Sequence, residues 1–119
     1  MQSETIQFYA THPQHMGEIK NPTLRHEEKN KVCGDDIEIF LVIQGEKIQQ
    51  WSFTGRASMI TIACSGLFGD LVQGVDFATL FSWNQATIIR DTGVTVSPRR
   101  QRAQVLALLA TRNALHAYL

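Results

Sequence analysis

The chain has 119 residues, of which 44% are apolar, and its 11 basic residues balance 11 acidic ones. This length and composition predict one small domain over residues 1–119. A net charge of zero argues against a nucleic-acid or membrane-surface partner, and no apolar run approaches the roughly 20 residues that span a bilayer. The first ten residues lack the basic start and apolar middle of a signal peptide, so we expect a cytoplasmic protein. Two cysteines are too few for a disulfide scaffold or a structural zinc site.

The first half of the chain predicts a helix, a loop and a β-hairpin. A short helix is expected over 3–11, with Ser3 as its N-cap. The polar stretch 12–32 indicates an extended, mobile loop. Residues 37–43 and 48–54 alternate apolar and polar side chains on either side of a turn, which predicts two antiparallel strands.

The second half of the chain predicts helices. Apolar residues at helical spacing indicate a helix from Ser58, its N-cap, to about residue 73. Gly66 and Gly69 weaken this helix, and close packing against a neighbour would explain them. Asp76 is expected to cap a second, shorter helix.

Residues 84–96 have no strong pattern and are predicted to form a connection. Ser97 and Pro98 then provide a cap followed by a proline at the first helical position, which marks the start of the last helix. Because the strands are segregated from the helices, the predicted fold class is α+β, a small antiparallel sheet with helices packed on one face.

The segment Val32-Cys33-Gly34-Asp35, where the polar loop enters the first hairpin strand, is the best candidate for chemistry. A thiolate and a carboxylate two residues apart could face one metal ion, the thiolate suiting soft or borderline metals and the carboxylate adding an exchangeable ligand. The same residues also fit an ordinary turn with Asp35 as a cap. On spacing alone, the turn is the better interpretation.

Several motifs around this segment resemble the NifU/IscU-type iron–sulfur cluster assembly scaffolds. In that family a Cys-Gly-Asp opens a strand, as Cys33-Gly34-Asp35 does here. An upstream Asn-Pro…Gly is similar to residues 12–17, a Phe-x-Gly ending the second strand is matched by Phe53-Thr54-Gly55, and a Pro-x-Arg opening the last helix is matched by Pro98-Arg99-Arg100. The resemblance covers nearly the whole chain and implies a third strand within 23–32.

The resemblance also implies an incomplete ligand set. By position, the family's second cysteine is replaced by Ser58 and its third by Ala103, while Arg102 stands where the family has a histidine or lysine. It implies that Cys33 and Asp35 are metal ligands, and that Ser58 and Arg102 also face the iron–sulfur cluster or iron. A cluster normally takes four protein ligands, mostly thiolates, so a second subunit, a partner or a small thiol would have to complete the set.

What the family does implies a non-enzymatic scaffold. Such a protein accepts sulfur from a cysteine desulfurase and iron from a donor, and passes the cluster to apo-proteins, with Cys33 as sulfur acceptor and Asp35 as the labile ligand. The alternative is a degenerate paralogue that assembles nothing and acts as a protein-interaction module. Nucleic-acid binding is a weaker third interpretation, and a homo-oligomer fits the incomplete ligand set.

Three other groups of residues have both a structural and a functional interpretation. Cys64 falls on the apolar stripe of its helix, which favours core packing over ligation. A loop histidine group could bind metal, although solvent exposure is the favoured interpretation; it consists of His12, His15 and His26. Three arginines near the start of the last helix form either a solvated surface or a site for an anion or acidic partner; they are Arg99, Arg100 and Arg102. If the fold matches the family, this arginine turn lies beside Cys33 and lowers its pKa.

Overall fold

The computed structural model describes residues 3–31 and 34–119. The elements run in the order α1 (Glu4–Thr11), β1 (Leu24–Asn30), β2 (Asp35–Gln44), β3 (Lys47–Arg56), α2 (Met59–Val72), α3 (Phe77–Ser82), α4 (Gln85–Thr92), a 3-10 turn (Pro98–Arg100) and α5 (Gln101–Tyr118). In these two ranges we find no helix that is both long enough and apolar enough to cross a membrane.

The three strands form one antiparallel sheet in the order β1-β2-β3. The predicted hairpin is confirmed as β2 and β3, which are joined by a tight turn at Gly45 with a φ of 63°. The loop expected over 12–32 is wrong for residues 24–30, and the third strand implied by the family resemblance is confirmed there. The apolar pattern of the sequence does not predict β1, because β1 is a polar edge strand. It is paired through its backbone, and every second side chain is exposed.

The core lies between one face of the sheet and the helices. Ile37, Ile39 and Leu41 alternate along β2 and are all fully buried, and Trp51 and Phe53 join them from β3. Helices α2 to α5 supply the opposing apolar side chains, so the α+β architecture with helices on one face is confirmed.

Helix α2 passes close to the segment that follows α1. Its predicted start is confirmed, because the Ser58 hydroxyl accepts a hydrogen bond from the Thr61 backbone N–H. A Cβ on Gly66 would lie 3.2 Å from the Gln14 carbonyl oxygen, and one on Gly69 would lie 2.6 Å from the His15 ring. The two glycines therefore let residues 14–15 pack directly on the helix, which confirms the close packing predicted from the sequence.

Two expectations about the C-terminal half are corrected. The connection expected over 84–96 contains α4, whose start is fixed by a reciprocal capping box between Asn84 and Thr87. The sequence pattern does not predict this helix, because its β-branched residues lower the helix propensity. In the fold, buried Ile88 packs the helix against the core. The last helix, expected to begin at Pro98, begins at Gln101 after the 3-10 turn, and the Ser97 side chain makes no capping hydrogen bond.

Candidate functional site

Asp35 joins the start of β2 to the start of α2. Its side chain is buried, with 3% of the residue exposed. Oδ1 accepts a hydrogen bond of 2.8 Å from the Ser58 backbone N–H, and Oδ2 accepts one of 2.5 Å from the Thr61 hydroxyl. A carboxylate at the N-terminal end of a helix is also favoured by the helix dipole. Asp35 therefore has a structural role, because its carboxylate ties the start of β2 to the start of α2. The sequence had suggested only that Asp35 could cap a turn. Cys33 lies outside the described residues.

Ser58 and Thr61 form a short hydroxyl chain that ends on Asp35. The Ser58 hydroxyl donates to Thr61 Oγ1 over 3.2 Å, and the Thr61 hydroxyl in turn donates to Asp35. Hydrogen bonds linked in this way strengthen one another in a buried setting. The structure thus brings together Asp35 and Ser58, two residues that the sequence predicted at one site, and it adds Thr61, which the sequence analysis missed. Thr61 could have been identified from its position three residues after the N-cap Ser58, where the backbone N–H bonds the capping side chain.

Ala103 packs in an apolar cluster near the same end of α2. It is 3% exposed and shares the cluster with Ile60 and Cys64. Burial raises the pKa of the Cys64 thiol to about 12, so the thiol stays protonated at neutral pH. The prediction that Cys64 packs in the core is confirmed, and its thiol is unsuited to ligate metal where it stands.

The arginine turn consists of Arg99, Arg100 and Arg102. The first two belong to the 3-10 turn and Arg102 is the second residue of α5, where its side chain is exposed. None of the three forms an ion pair with a residue of the described ranges. Cations at the N-terminal end of a helix are unfavourable by about 0.3–1 kcal/mol each at an exposed site. The predicted neighbourhood of Arg102 and Cys33 involves a residue outside those ranges and stays a prediction.

The whole sequence, residues 1–119, matches the family model described as the NifU-like N terminal domain. The chain belongs to the NifU-like N-terminal domain family. It is 29% identical over 82 residues to the "Iron-sulfur cluster assembly scaffold protein IscU" of Thermotoga maritima. That match covers 69% of this chain and 58% of the relative, so it spans less than two thirds of that protein.

Solved structures share the fold of this NifU-like chain. The N-terminal part of a nitrogen-fixing NifU-like protein from Brucella abortus has a TM-score of 0.78 at 14% identity, with 96% of this chain and 91% of that one covered. A putative iron–sulfur cluster assembly scaffold protein for the SUF system from Fervidobacterium islandicum has a TM-score of 0.79 at 22% identity, with 95% of each chain covered. At these identities the likeness concerns the fold, and it agrees with the predicted IscU/NifU-like architecture.

The described part of the NifU-like site offers few metal donors. Asp35 supplies a carboxylate, Ser58 a hydroxyl that hardly ionises near neutral pH, and Ala103 no donor at all. Within residues 3–31 and 34–119, no group of three or more histidine, cysteine, aspartate or glutamate side chains is arranged to hold a metal ion. The described residues at this site therefore supply one carboxylate and no thiolate.

A second polar cluster holds α1 and the following segment against α2. Asp70 Oδ2 accepts a hydrogen bond of 2.5 Å from the Tyr9 hydroxyl, and Asp70 Oδ1 lies 2.7 Å from His15 Nε2. The hydrogen bond to Asp70 raises the pKa of Tyr9 above its ordinary value, with burial adding to the shift. Gln73 contacts the other ring nitrogen of His15. Gly69, which leaves room for the His15 ring, was the signal in the sequence for this contact.

The predicted histidine group does not gather around one point. His12 is exposed and stacks on Phe8, whereas His26 is half-buried and bonds Glu28 on the opposite edge of the sheet from His15. The favoured interpretation, solvent exposure, is wrong for His15 and His26, because a carboxylate partner holds each of them in a half-buried position.

Proposed function

We propose that this NifU-like protein is a non-enzymatic iron–sulfur cluster assembly scaffold that accepts sulfur and iron at its Cys-Gly-Asp motif and passes the product to apo-proteins. Its cargo is the cluster, its sulfur donor a cysteine desulfurase, and Cys33 its sulfur acceptor. The observation that carries the proposal is the contact of Asp35 with Ser58 and Thr61. It supports the proposal because it sets the end of the motif against the helix start where the resemblance places a second ligand.

Asp35 would serve as a weak, exchangeable ligand. To turn toward a metal ion, its carboxylate must leave the Ser58 N–H or the Thr61 hydroxyl, and a buried donor left without an acceptor costs roughly 1–3 kcal/mol. The helix start therefore competes with the metal for the carboxylate. Such competition suits a protein that must release what it assembles.

The replacement of two cysteines implies that the bound cluster is shared. Ser58 and Ala103 occupy the positions of the missing thiolates, and iron–sulfur clusters normally take four ligands. We propose that a second copy of the chain, an acceptor protein or a small thiol completes the set. The same replacements favour the second candidate function, an interaction module that binds no cluster.

Restoring the two thiols tests whether Ser58 and Ala103 stand at the ligand positions, and the iron and sulfide bound by the wild type itself separate the scaffold from the interaction module. The protein is reconstituted without oxygen with iron and sulfide, and bound iron, bound sulfide and visible absorption are measured for the wild type and for Ser58→Cys with Ala103→Cys. We expect the double variant to bind more iron and sulfide per chain and to lose them more slowly on gel filtration.

The matched control places two thiols elsewhere, as Ser82→Cys with Ala110→Cys. Ser82 ends α3 and Ala110 is buried two turns further along α5 than Ala103, so both lie away from the motif. A control variant that gains as much cluster as the site variant would contradict the proposal. So would a site variant that folds but binds no more than the wild type.

A further inference from the structure

A cleft opens between the start of α1, the start of α2 and the segment before α5. Its volume is about 330 Å³. The lining residues come from these three regions, and they are Ser3, Ile6, Ile60, Thr95, Val96, Ser97, Arg99 and Arg100. Three separate parts of the fold therefore build one concave surface next to the arginine turn.

The cleft combines a cationic rim with a floor that has apolar side chains beside the hydroxyl groups of Ser3, Thr95 and Ser97. Ile6 and Ile60 are almost fully buried beneath it, and Val96 is half-buried. Arg99 is exposed and Arg100 half-buried at its edge. No acidic side chain is among the described lining residues, and no ion pair joins either arginine to a carboxylate of residues 3–31 or 34–119.

Neither rim arginine has a side-chain ion pair with another residue of the described ranges. They stand at the positive end of the helix dipole, where cations are disfavoured, and the described carboxylates do not neutralise them. Guanidinium groups pair with carboxylates through two parallel hydrogen bonds, which makes arginine the preferred residue for recognising acidic groups. The charge of the rim is thus complementary to an acidic ligand.

We propose that this cleft docks an acidic peptide segment of a partner protein, with one apolar side chain on the floor and neighbouring carboxylates on Arg99 and Arg100. The volume suits one or two side chains. A nucleic-acid strand is disfavoured, because proteins that bind phosphate backbones use a more extended basic surface and this chain has a net charge of zero. This docking goes beyond cluster assembly and does not require a bound metal.

The proposal is tested with the metal-free chain and a fluorescein-labelled peptide that carries four glutamates around one leucine. Fluorescence anisotropy gives the dissociation constant, and a peptide with glutamine in place of glutamate serves as the neutral probe. We expect the glutamate peptide to bind and the neutral peptide to bind at least about tenfold more weakly. Raising the salt concentration should weaken binding, because exposed charge pairs are screened.

Variants locate the binding surface. Arg99→Gln with Arg100→Gln should weaken binding at least about tenfold, since charge-assisted hydrogen bonds are lost. The control Arg90→Gln removes an exposed arginine of α4 that lies outside the cleft and should change binding less than about twofold. In methyl NMR spectra the peptide should shift the signals of Ile6 and Ile60, but not that of Ile37 in the sheet core.

Several results would overturn the proposal. These are no detectable binding of the glutamate peptide at about 1 mM, equal binding by the double arginine variant, or shifts confined to other methyl groups. Equal affinity for a single-stranded oligonucleotide would point to nucleic acid instead, and full competition by glutarate or inorganic phosphate at similar concentration would point to a small-anion site. Peptide binding is measured on the metal-free chain and scaffold function by bound iron and sulfide, so failure of the scaffold function and failure of docking are distinguishable.

Discussion

Removing the Asp35 carboxylate is expected to destabilise the protein even when no metal is present. In Asp35→Ala the Ser58 N–H and the Thr61 hydroxyl lose their acceptor at a site where Asp35 is 3% and Thr61 0% exposed. Each unsatisfied buried donor costs roughly 1–3 kcal/mol, and loss of the negative charge at the start of α2 adds about 0.3–1 kcal/mol. We therefore expect the free energy of unfolding to fall by roughly 2–7 kcal/mol, and by about half as much in Asp35→Asn, which keeps one acceptor.

The assay is urea denaturation of the metal-free protein, followed by far-ultraviolet circular dichroism and by tryptophan fluorescence. The control is Asp36→Ala, because Asp36 is the next residue of β2, points to the other face of the sheet and is only half-buried. Its effect should stay within about 0.5 kcal/mol. An Asp35→Ala protein as stable as the wild type, or no less stable than the control, would refute the reasoning.

A double-mutant cycle isolates the bond between Asp35 and Thr61. Thr61→Val keeps the shape of this fully buried side chain and removes its hydroxyl. The substitution should cost more in the wild type than in an Asp35→Ala background, which has no acceptor for Thr61, with a coupling energy of about 1–2 kcal/mol. Equal costs in both backgrounds would mean that the short hydrogen bond contributes nothing to stability.

Three further predictions concern the interior around α2. Gly69→Ala should lower stability by roughly 1–3 kcal/mol despite its better helix propensity, because the new Cβ would lie 2.6 Å from the His15 ring. In a His15→Ala background, which lacks the ring, the same substitution should cost much less in thermal denaturation. A Gly69→Ala protein as stable as the wild type would disprove the contact. In Cys33→Ser, where Cys64 is the one remaining thiol, reaction with a thiol reagent at pH 8 should be negligible until the protein is unfolded, whereas rapid native reaction would contradict the burial. Burial raises the folded pKa of Cys64 from about 9 to about 12. The stability linked to this thiol is therefore complete below pH 9 and is lost as the pH rises toward 12. The urea midpoint of Cys64→Ala should fall less over this pH range than the midpoint of the wild type.

The sequence predicts the parts of the fold that depend on local pattern. The alternation along β2 and β3, the capping serines before α1 and α2, and the helical spacing of α2 all correspond to elements of the structure. β1 and α4 were not visible in the pattern for physical reasons. β1 gains its stability from backbone pairing at a polar edge, and α4 gains its stability from a capping box and from the burial of Ile88.

The candidate site depends on contacts between residues far apart in the chain. Asp35 reaches Thr61 across 26 positions, and Tyr9 reaches Asp70 across 61, distances over which no periodicity carries information. The family resemblance supplied the correspondence of Ser58 and Ala103 to the missing cysteines. It did not indicate that the Asp35 carboxylate is buried and already accepts hydrogen bonds from Ser58 and Thr61, because those bonds depend on how the start of β2 lies against the start of α2.

The most direct test of the scaffold account is the iron and sulfide content of the wild-type protein and of Cys33→Ser, both purified and reconstituted without oxygen. The account predicts that the wild type binds iron and sulfide with a visible absorption band, and that Cys33→Ser loses both while keeping the circular dichroism of the folded protein. A colourless wild type, or a Cys33→Ser protein that binds as much iron and sulfide, would contradict it.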